Sequence, residues 1–400
     1  MSLFRFELRK LLLGKKNLFL LLCLLALYSV VGLTSTMFLI GGNDSYRAYE
    51  ESAAAWEGSF DSERAAQAEK IYQEISARYG TDARMIARSV KDQPEIILAV
   101  NYHAYAERVE EYWNGTLPES AEEPYGIALL QAKLEKLESQ GEQDTAAYRE
   151  LSASLQRLEE LGEPQFANTL LWENLCGNWG EHMMQFLLFV PLAFVIAPVF
   201  AVERSSGMDS LILSSPNGRG KIVTVKLLSV LVTSIVVVVL YLAATFMFGF
   251  LPHGSFQGWD AAIQSIPTYA RSPFRWKVWQ LAAVGAVWLI FTGVVYSLII
   301  CFISSRMKSQ MGTVGVSLAV LFVNVGLAAM GDTVTEKLGV LVDFGLANVT
   351  LAKEVFGGYK VFHVFGMNVS YPVMTILVLA ATAAAAIFGI YRGQKSRTIA

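Results

Sequence analysis

Six stretches of this chain contain no Asp, Glu, Lys, Arg or His: residues 18–40, 183–202, 227–251, 278–303, 311–331 and 371–391. A helix needs about 20 predominantly apolar residues to cross the hydrocarbon core of a bilayer, and each stretch reaches that length. Six such runs among 400 residues leave too little polar chain to wrap them all in one soluble core. The composition agrees. Charged residues make up 17% of the chain, against roughly 25% in soluble domains. The first run is too long for the apolar region of a cleaved signal peptide, about 7–15 residues, and no A-x-A site follows, so it reads as a retained span.

The net charge of −3 hides an asymmetry. Residues 41–183 carry 27 acids and 12 bases; the rest of the chain carries 8 acids and 20 bases. An acidic block therefore sits inside a basic, apolar frame, which excludes a uniformly basic nucleic-acid binder. Lys and Arg in short connections set membrane orientation. Fourteen of them fall on one side, before the first span, in the second and fourth connections, and after the sixth span; six fall on the other. Both termini are thereby expected in the cytoplasm and the acidic block outside. Arg271, Arg275 and Lys277 run against the rule, although Trp276 and Trp279 beside them suit a headgroup-level anchor.

The expected fold class is an all-α membrane protein: six transmembrane helices with a large helical extracytoplasmic domain between the first and second. Residues 1–17 read as an interfacial amphipathic helix, with Phe4, Leu8, Leu11 and Leu12 on one face. Residues 41–182 form the outer domain. Ile127, Leu130, Leu134 and Leu137 make one helical stripe, and Leu151, Leu155 and Leu158 another. Gly141 stops the first helix and Asp144 or Thr145 caps the second. Stretches 64–79 and 95–112 also look helical, and no strand-like alternation runs through this domain. The remaining connections are 203–226, 304–310 and the tail 392–400 inside, and 252–277 and 332–370 outside. The last of these holds apolar pieces too short to span.

Catalytic signatures do not emerge. Three cysteines and four histidines lie at no metal-ligand spacing, so no metal or catalytic residue is expected. Gly218-Arg219-Gly220-Lys221 lacks the spacing that lets a phosphate-binding loop wrap a nucleotide. Ionisable residues inside spans mark ion-coupled transport, and their absence here points away from it. Milder polar and aromatic groups remain within the spans. Tyr241, Trp288, Tyr296 and Asn324 are candidates for a pathway, with helix packing as the plainer alternative.

The most informative segment follows the second span. Glu203 and Arg204 leave the membrane, Gly207 breaks the chain, and Met208, Asp209, Leu211 and Ile212 begin a short amphipathic helix. Ser-Pro-Asn-Gly then turns the chain, and Arg219, Lys221 and Lys226 are placed to anchor the third span at the headgroups. This pattern, with the run Leu211-Ile212-Leu213-Ser214-Ser215-Pro216, resembles the membrane subunit of a type-2 ABC exporter (the ABC-2 type transporter permease family). Phe6-Glu7-Leu8-Arg9-Lys10-Leu11-Leu12 resembles the interfacial helix of that family. Met208 and Asp209 stand where Thr and Glu are usual, and the 143-residue outer block replaces a short loop.

The resemblance implies a bacterial plasma-membrane subunit that is not itself an ATPase. It would bind no cofactor. ATP and Mg would be used by a separate cytosolic ABC ATPase, seated on a coupling helix formed by Glu203, Arg204, Gly207, Met208, Asp209, Leu211 and Ile212. A second permease subunit, identical or homologous, and the lipid membrane complete the implied partners, with no nucleic acid. Peptide antibiotics, drugs or lipid-like compounds are the implied cargo. The competing reading is a membrane-anchored sensor or scaffold whose acidic outer domain binds a ligand or partner.

Overall fold

A computed structural model describes residues 3–40, 43–80, 93–110, 127–180, 182–215, 220–249, 254–329, 339, 341–358, 360–364 and 367–396. The described chain is overwhelmingly helical. Helices α1 (Leu3–Leu12) and α2 (Lys15–Ile40) lead to an outer group, α3 (Asn43–Ala53), α4 (Ser62–Tyr79), α5 (Pro94–Arg108), α6 (Ile127–Ser139) and α7 (Ala146–Leu161). Helices α8 (Leu170–Gly180), α9 (His182–Ile196), α10 (Pro198–Ser205) and the short α11 (Met208–Ser214) follow. Then come α12 (Lys221–Gly249), α13 (Val278–Arg306) and α14 (Gln310–Ala329). Two short helices, α15 (Leu346–Val349) and α16 (Ala352–Phe356), precede strands β1 (Val361–Val364) and β2 (Met367–Ser370) and the last helix, α17 (Tyr371–Lys395).

Among the described residues, four helical segments are long and apolar enough to cross a membrane: Phe186–Ser205, α12, α13 and α17. Helix α1 with the first part of α2 makes a fifth if the bent pair counts as one. The fifth stretch expected from sequence is helical as α14, 20 residues long, and its apolar part is described in full over Gln310–Val323. Helix α12 packs along α2 on one side and α13 on the other, and α13 packs along α17.

Two local devices shape this bundle. The chain bends by 51° between α1 and α2. A Cβ at Gly14 would lie 2.6 Å from the Lys10 carbonyl oxygen, so only glycine fits that close approach. Asn17 Nδ2 donates to the Leu11 carbonyl across the bend at 2.8 Å. The second device mends the break between α9 and α10. Pro198 carries no N–H and cannot continue the helical ladder. Buried Ser304 of α13 donates its hydroxyl to the Ala197 carbonyl at 2.7 Å and accepts from the N–H groups of Phe200 and Ala201 at 3.1 and 3.0 Å. One hydroxyl thus serves three backbone groups at a site with no water to replace it.

The outer group has the helical character that the stripes imply. Helices α6 and α7 pack together with Leu130, Leu134 and Leu158 buried. Gly141 turns between them at φ +73°, and Thr145 Oγ1 accepts the Tyr148 N–H as the cap of α7. A second pair, α4 and α5, is capped by Asp61. Tyr46, Tyr49, Tyr102, Tyr105 and Phe166 form its aromatic core, with Tyr102 edge-on to both Tyr105 and Phe166. The sequence reading named no strands. Val361–Ser370 nevertheless folds into an antiparallel hairpin that feeds straight into α17. The apolar piece near Val361 is therefore part of this hairpin, whose Phe362 packs on Phe344 and Tyr371.

Loop 254–277 ties the outer group to the bundle. Trp172 Nε1 donates to the Gln257 carbonyl at 2.9 Å, Asn168 Nδ2 to Gln257 Oε1 at 2.9 Å, and Ser265 Oγ to the Gln165 carbonyl at 2.9 Å. The bases that violated the charge rule find partners here. Arg275 pairs with Glu160 at 3.6 Å and Lys277 with Asp260 at 2.5 Å. Gly258 stands at φ +72°, and a Cβ there would lie 2.1 Å from the Asn168 carbonyl oxygen. Gly258→Ala is expected to open this junction. Limited proteolysis of the purified chain should then cut within 254–277 at a protease dose that leaves the wild type intact.

Candidate functional site

At the end of the bundle that holds both chain termini, three elements converge on one buried ammonium. Lys226 follows Val223 and precedes Ser229, Val230 and Thr233 on the inward face of α12, and all five are buried. Helical spacing of three and four residues puts them in one stripe. Lys226 is 1% exposed. Its Nζ lies 2.6 Å from Glu203 Oε1, 3.3 Å from Glu7 Oε1 and 3.1 Å from the Val199 carbonyl oxygen. The Phe200 ring stands 5.5 Å away. Lys10 Nζ adds contacts of 3.2 Å to Glu203 Oε1 and 3.8 Å to Glu7 Oε2. Glu7 and Glu203 are buried too. Two acids and two bases therefore form a neutral cluster that joins α1, α10 and α12. An ion removed from water costs several kcal/mol unless it is paired and hydrogen-bonded, so the three buried groups, Glu7, Glu203 and Lys226, cannot leave cheaply, while Lys10 stays partly exposed.

Neighbouring contacts extend the joint to the remaining helix ends. Arg204 Nη1 donates to the Ser305 carbonyl at 2.8 Å, a cation at the carbonyl end of α13. Arg306 Nη2 donates to the Gly389 carbonyl of α17 at 3.0 Å while its guanidinium lies 5.3 Å from the Phe302 ring centroid. A Cβ at Gly389 would meet that ring at 2.6 Å. The hydroxyls of Thr224 and Tyr391 meet at 2.7 Å and join α12 to α17.

Helix α11 sits on this joint. Gly207, in the left-handed region at φ +71°, reverses the chain ahead of it. Leu213 is buried, and with Ile212, Val223 and Gln394 it lines a small cleft that also contains Glu203 and Lys226. Asp209 borders the same cleft. The opposite side of α11 faces out: Met208 is 55% and Leu211 74% exposed. Two large apolar side chains are thus exposed together on one side of α11.

The structure thus separates the residues grouped from sequence. Met208 and Leu211 are outward, Ile212 and Asp209 are half-buried, and Glu203 is turned into the ion cluster. Lys226, expected at the headgroups, lies inside the bundle because Glu7 and Glu203 compensate its charge there. Lys221 is exposed, and Arg219 lies outside the described residues. Sequence reasoning missed Glu7 and Lys10 as members of the cluster. A signal existed, since Glu7 is the sole acid among the first 43 residues.

The described pathway candidates, Tyr241, Trp288 and Tyr296, are each engaged in packing within the bundle. Tyr241 packs edge-on to Tyr28 at 4.8 Å, and Tyr296 donates to the Ser317 carbonyl at 3.1 Å. Trp288 Nε1 donates to the Val349 carbonyl at 2.9 Å. Trp288 also lines a groove of about 550 Å³ with Val287, Phe291 and Phe356. The side chain of Asn324 lies outside the described residues.

Compared with known families, the chain matches the model described as ABC-2 family transporter protein over residues 52–338. That range contains every helix from α4 to α14, and leaves out α1, α2, α17 and nearly all of α3. No curated protein and no solved structure matches the chain.

Lys226→Met leaves Glu203 and Glu7 buried beside an apolar stem. It should cost about 3–5 kcal/mol, read as a lowered unfolding midpoint of the purified protein. Neutralising all four members together (Glu7→Gln, Lys10→Gln, Glu203→Gln, Lys226→Met) should recover most of that loss, because no uncompensated charge remains.

Proposed function

We propose a working role for a chain that belongs to the ABC-2 transporter family and is, as such, a multi-pass permease subunit with an ATPase as its partner. In this reading it is the membrane half of an exporter in a bacterial plasma membrane, with six spans and both termini in the cytoplasm. Helix α11 is the coupling element. A separate ABC ATPase covers Met208 and Leu211, and closure of that ATPase on ATP pushes α11. The exposed apolar face of α11, backed directly by the buried ion cluster, is the observation that carries the proposal.

Leu213 and Glu203 would pass the push to Lys226 on α12 and to Glu7 on α1, so that the spans move together. Two such subunits, identical or homologous, would form the pathway between them. Uncharged spans suit an amphipathic cargo such as a peptide antibiotic, a drug or a lipid-like compound. The sensor or scaffold reading accounts for an acidic outer domain but leaves Leu211 without a partner.

Met208→Asp/Leu211→Asp places charge on the outward face of α11 and leaves the cluster untouched. Co-purification with a co-expressed soluble ABC ATPase that the wild type retains should fall by about tenfold or more, the scale of losing an interface anchor, with an unchanged unfolding midpoint. Undiminished co-purification would overturn the docking assignment.

Orientation is testable with single cysteines in a Cys23→Ser background. Burial pushes the Cys176 thiol up to about 12, and Cys301 is buried in α13, so neither native thiol should label. Glu142→Cys in whole cells should react with a membrane-impermeant maleimide, and Ser210→Cys should react only after lysis. The reverse pattern would invert the topology.

A further inference from the structure

A groove of about 500 Å³ opens at the α1–α2 elbow, between that bend and helices α9 and α10. Its lining combines two chemistries. Phe19, Phe194 and Pro198 give an apolar floor, while Lys10, Lys15 and Lys16 bring three cations and no carboxylate lines it. Lys15 and Lys16 are exposed and make no ion pair among the described residues. Phe19 is 70% exposed.

The position decides what such a groove can hold. Helix α1 is amphipathic and α2 is an apolar helix bent by 51° away from it. That bend is where a chain passes from the membrane surface into the bilayer. Cations at headgroup level beside an apolar floor at chain level match an anionic amphiphile and nothing smaller. A soluble phosphate would satisfy the lysines but leave Phe19 and Phe194 uncovered. A zwitterionic lipid would cover the floor but bring its own cation to the lysines.

We propose that this groove is a binding site for an anionic phospholipid, its phosphate against Lys15 and Lys16 and one acyl chain over Phe19 and Phe194. Lys10 links the site to the ion cluster, since it lines the groove and lies 3.2 Å from Glu203 Oε1. Lys10 therefore stands between the lipid site and Glu203, so a bound lipid lies against the joint between α1 and α10. The site depends on the elbow lying at a membrane surface and is independent of the proposed ATPase docking.

The test is a native mass-spectrometry titration of the purified full chain with dioleoyl phosphatidylglycerol, dioleoyl phosphatidylcholine or inorganic phosphate. Phosphatidylglycerol should bind about tenfold or more tightly than phosphatidylcholine, the scale set by two basic side chains at an anionic surface. Lys15→Gln/Lys16→Gln should remove that preference, Lys15→Arg/Lys16→Arg should keep it, and Phe19→Ser should weaken both lipids. Equal binding of the two lipids by the wild type, or an unaffected Gln variant, would overturn the proposal. Displacement of phosphatidylglycerol by inorganic phosphate at equal concentration would also overturn it, by showing a site for free anions. The headgroup comparison uses wild-type protein, so it stands even if a variant fails to fold.

Discussion

A lysine buried in a membrane bundle has to be neutralised, and the lower end of this molecule is arranged around that requirement. Lys226 reaches carboxylates on two other elements, Glu203 and Glu7, and a backbone carbonyl on α10. The alternative, an unpaired ammonium away from water, costs far more than any one packing contact returns. The geometry of three helices is therefore coupled. If α10 moves, Glu203 moves, and either Lys226 follows or the charge is stranded. A cluster with so few alternative arrangements behaves as a rigid joint rather than as a set of independent contacts.

The rest of the fold supports that joint from both ends. Ser304 holds the Pro198 break so that α10 starts at a fixed angle and delivers Glu203 inward. Gly14 and Asn17 fix the elbow that lets α1 lie against α12 and present Glu7. Arg306 and Thr224 tie α17 to the same end. At the opposite end, loop 254–277 fastens the outer helices to the bundle through Arg275–Glu160 and the Trp172–Gln257 hydrogen bond.

Much of this was legible in the sequence, for physical reasons that can be named. Uncharged runs of span length have one economical environment, so the helical bundle followed from them. Leucine stripes with Gly141 and Thr145 between them gave the α6–α7 pair, because a left-handed stop and a hydroxyl cap are local chemistry. Family membership was readable from the segment around Glu203 and Pro216. What could not be read was pairing across distance. Lys226 looks like a headgroup anchor until Glu7, more than 200 residues away, is brought beside it. The hairpin at Val361–Ser370 is too short to show alternation, and its register comes from packing Phe362 on Tyr371. The pathway candidates were chosen for polarity and aromatic character, and the structure uses those properties in packing within one subunit.

The central claim is that the ion cluster transmits movement of α11 to α1 and α12. Hydrogen–deuterium exchange on the complex with its ATPase, with and without ATP, tests it most directly. In the wild type, ATP should change exchange in 3–12, 208–214 and 221–229 together. With all four cluster members neutralised, the change should persist in 208–214 and vanish from 3–12 and 221–229. An ATP response that still reaches all three segments after neutralisation would contradict the account.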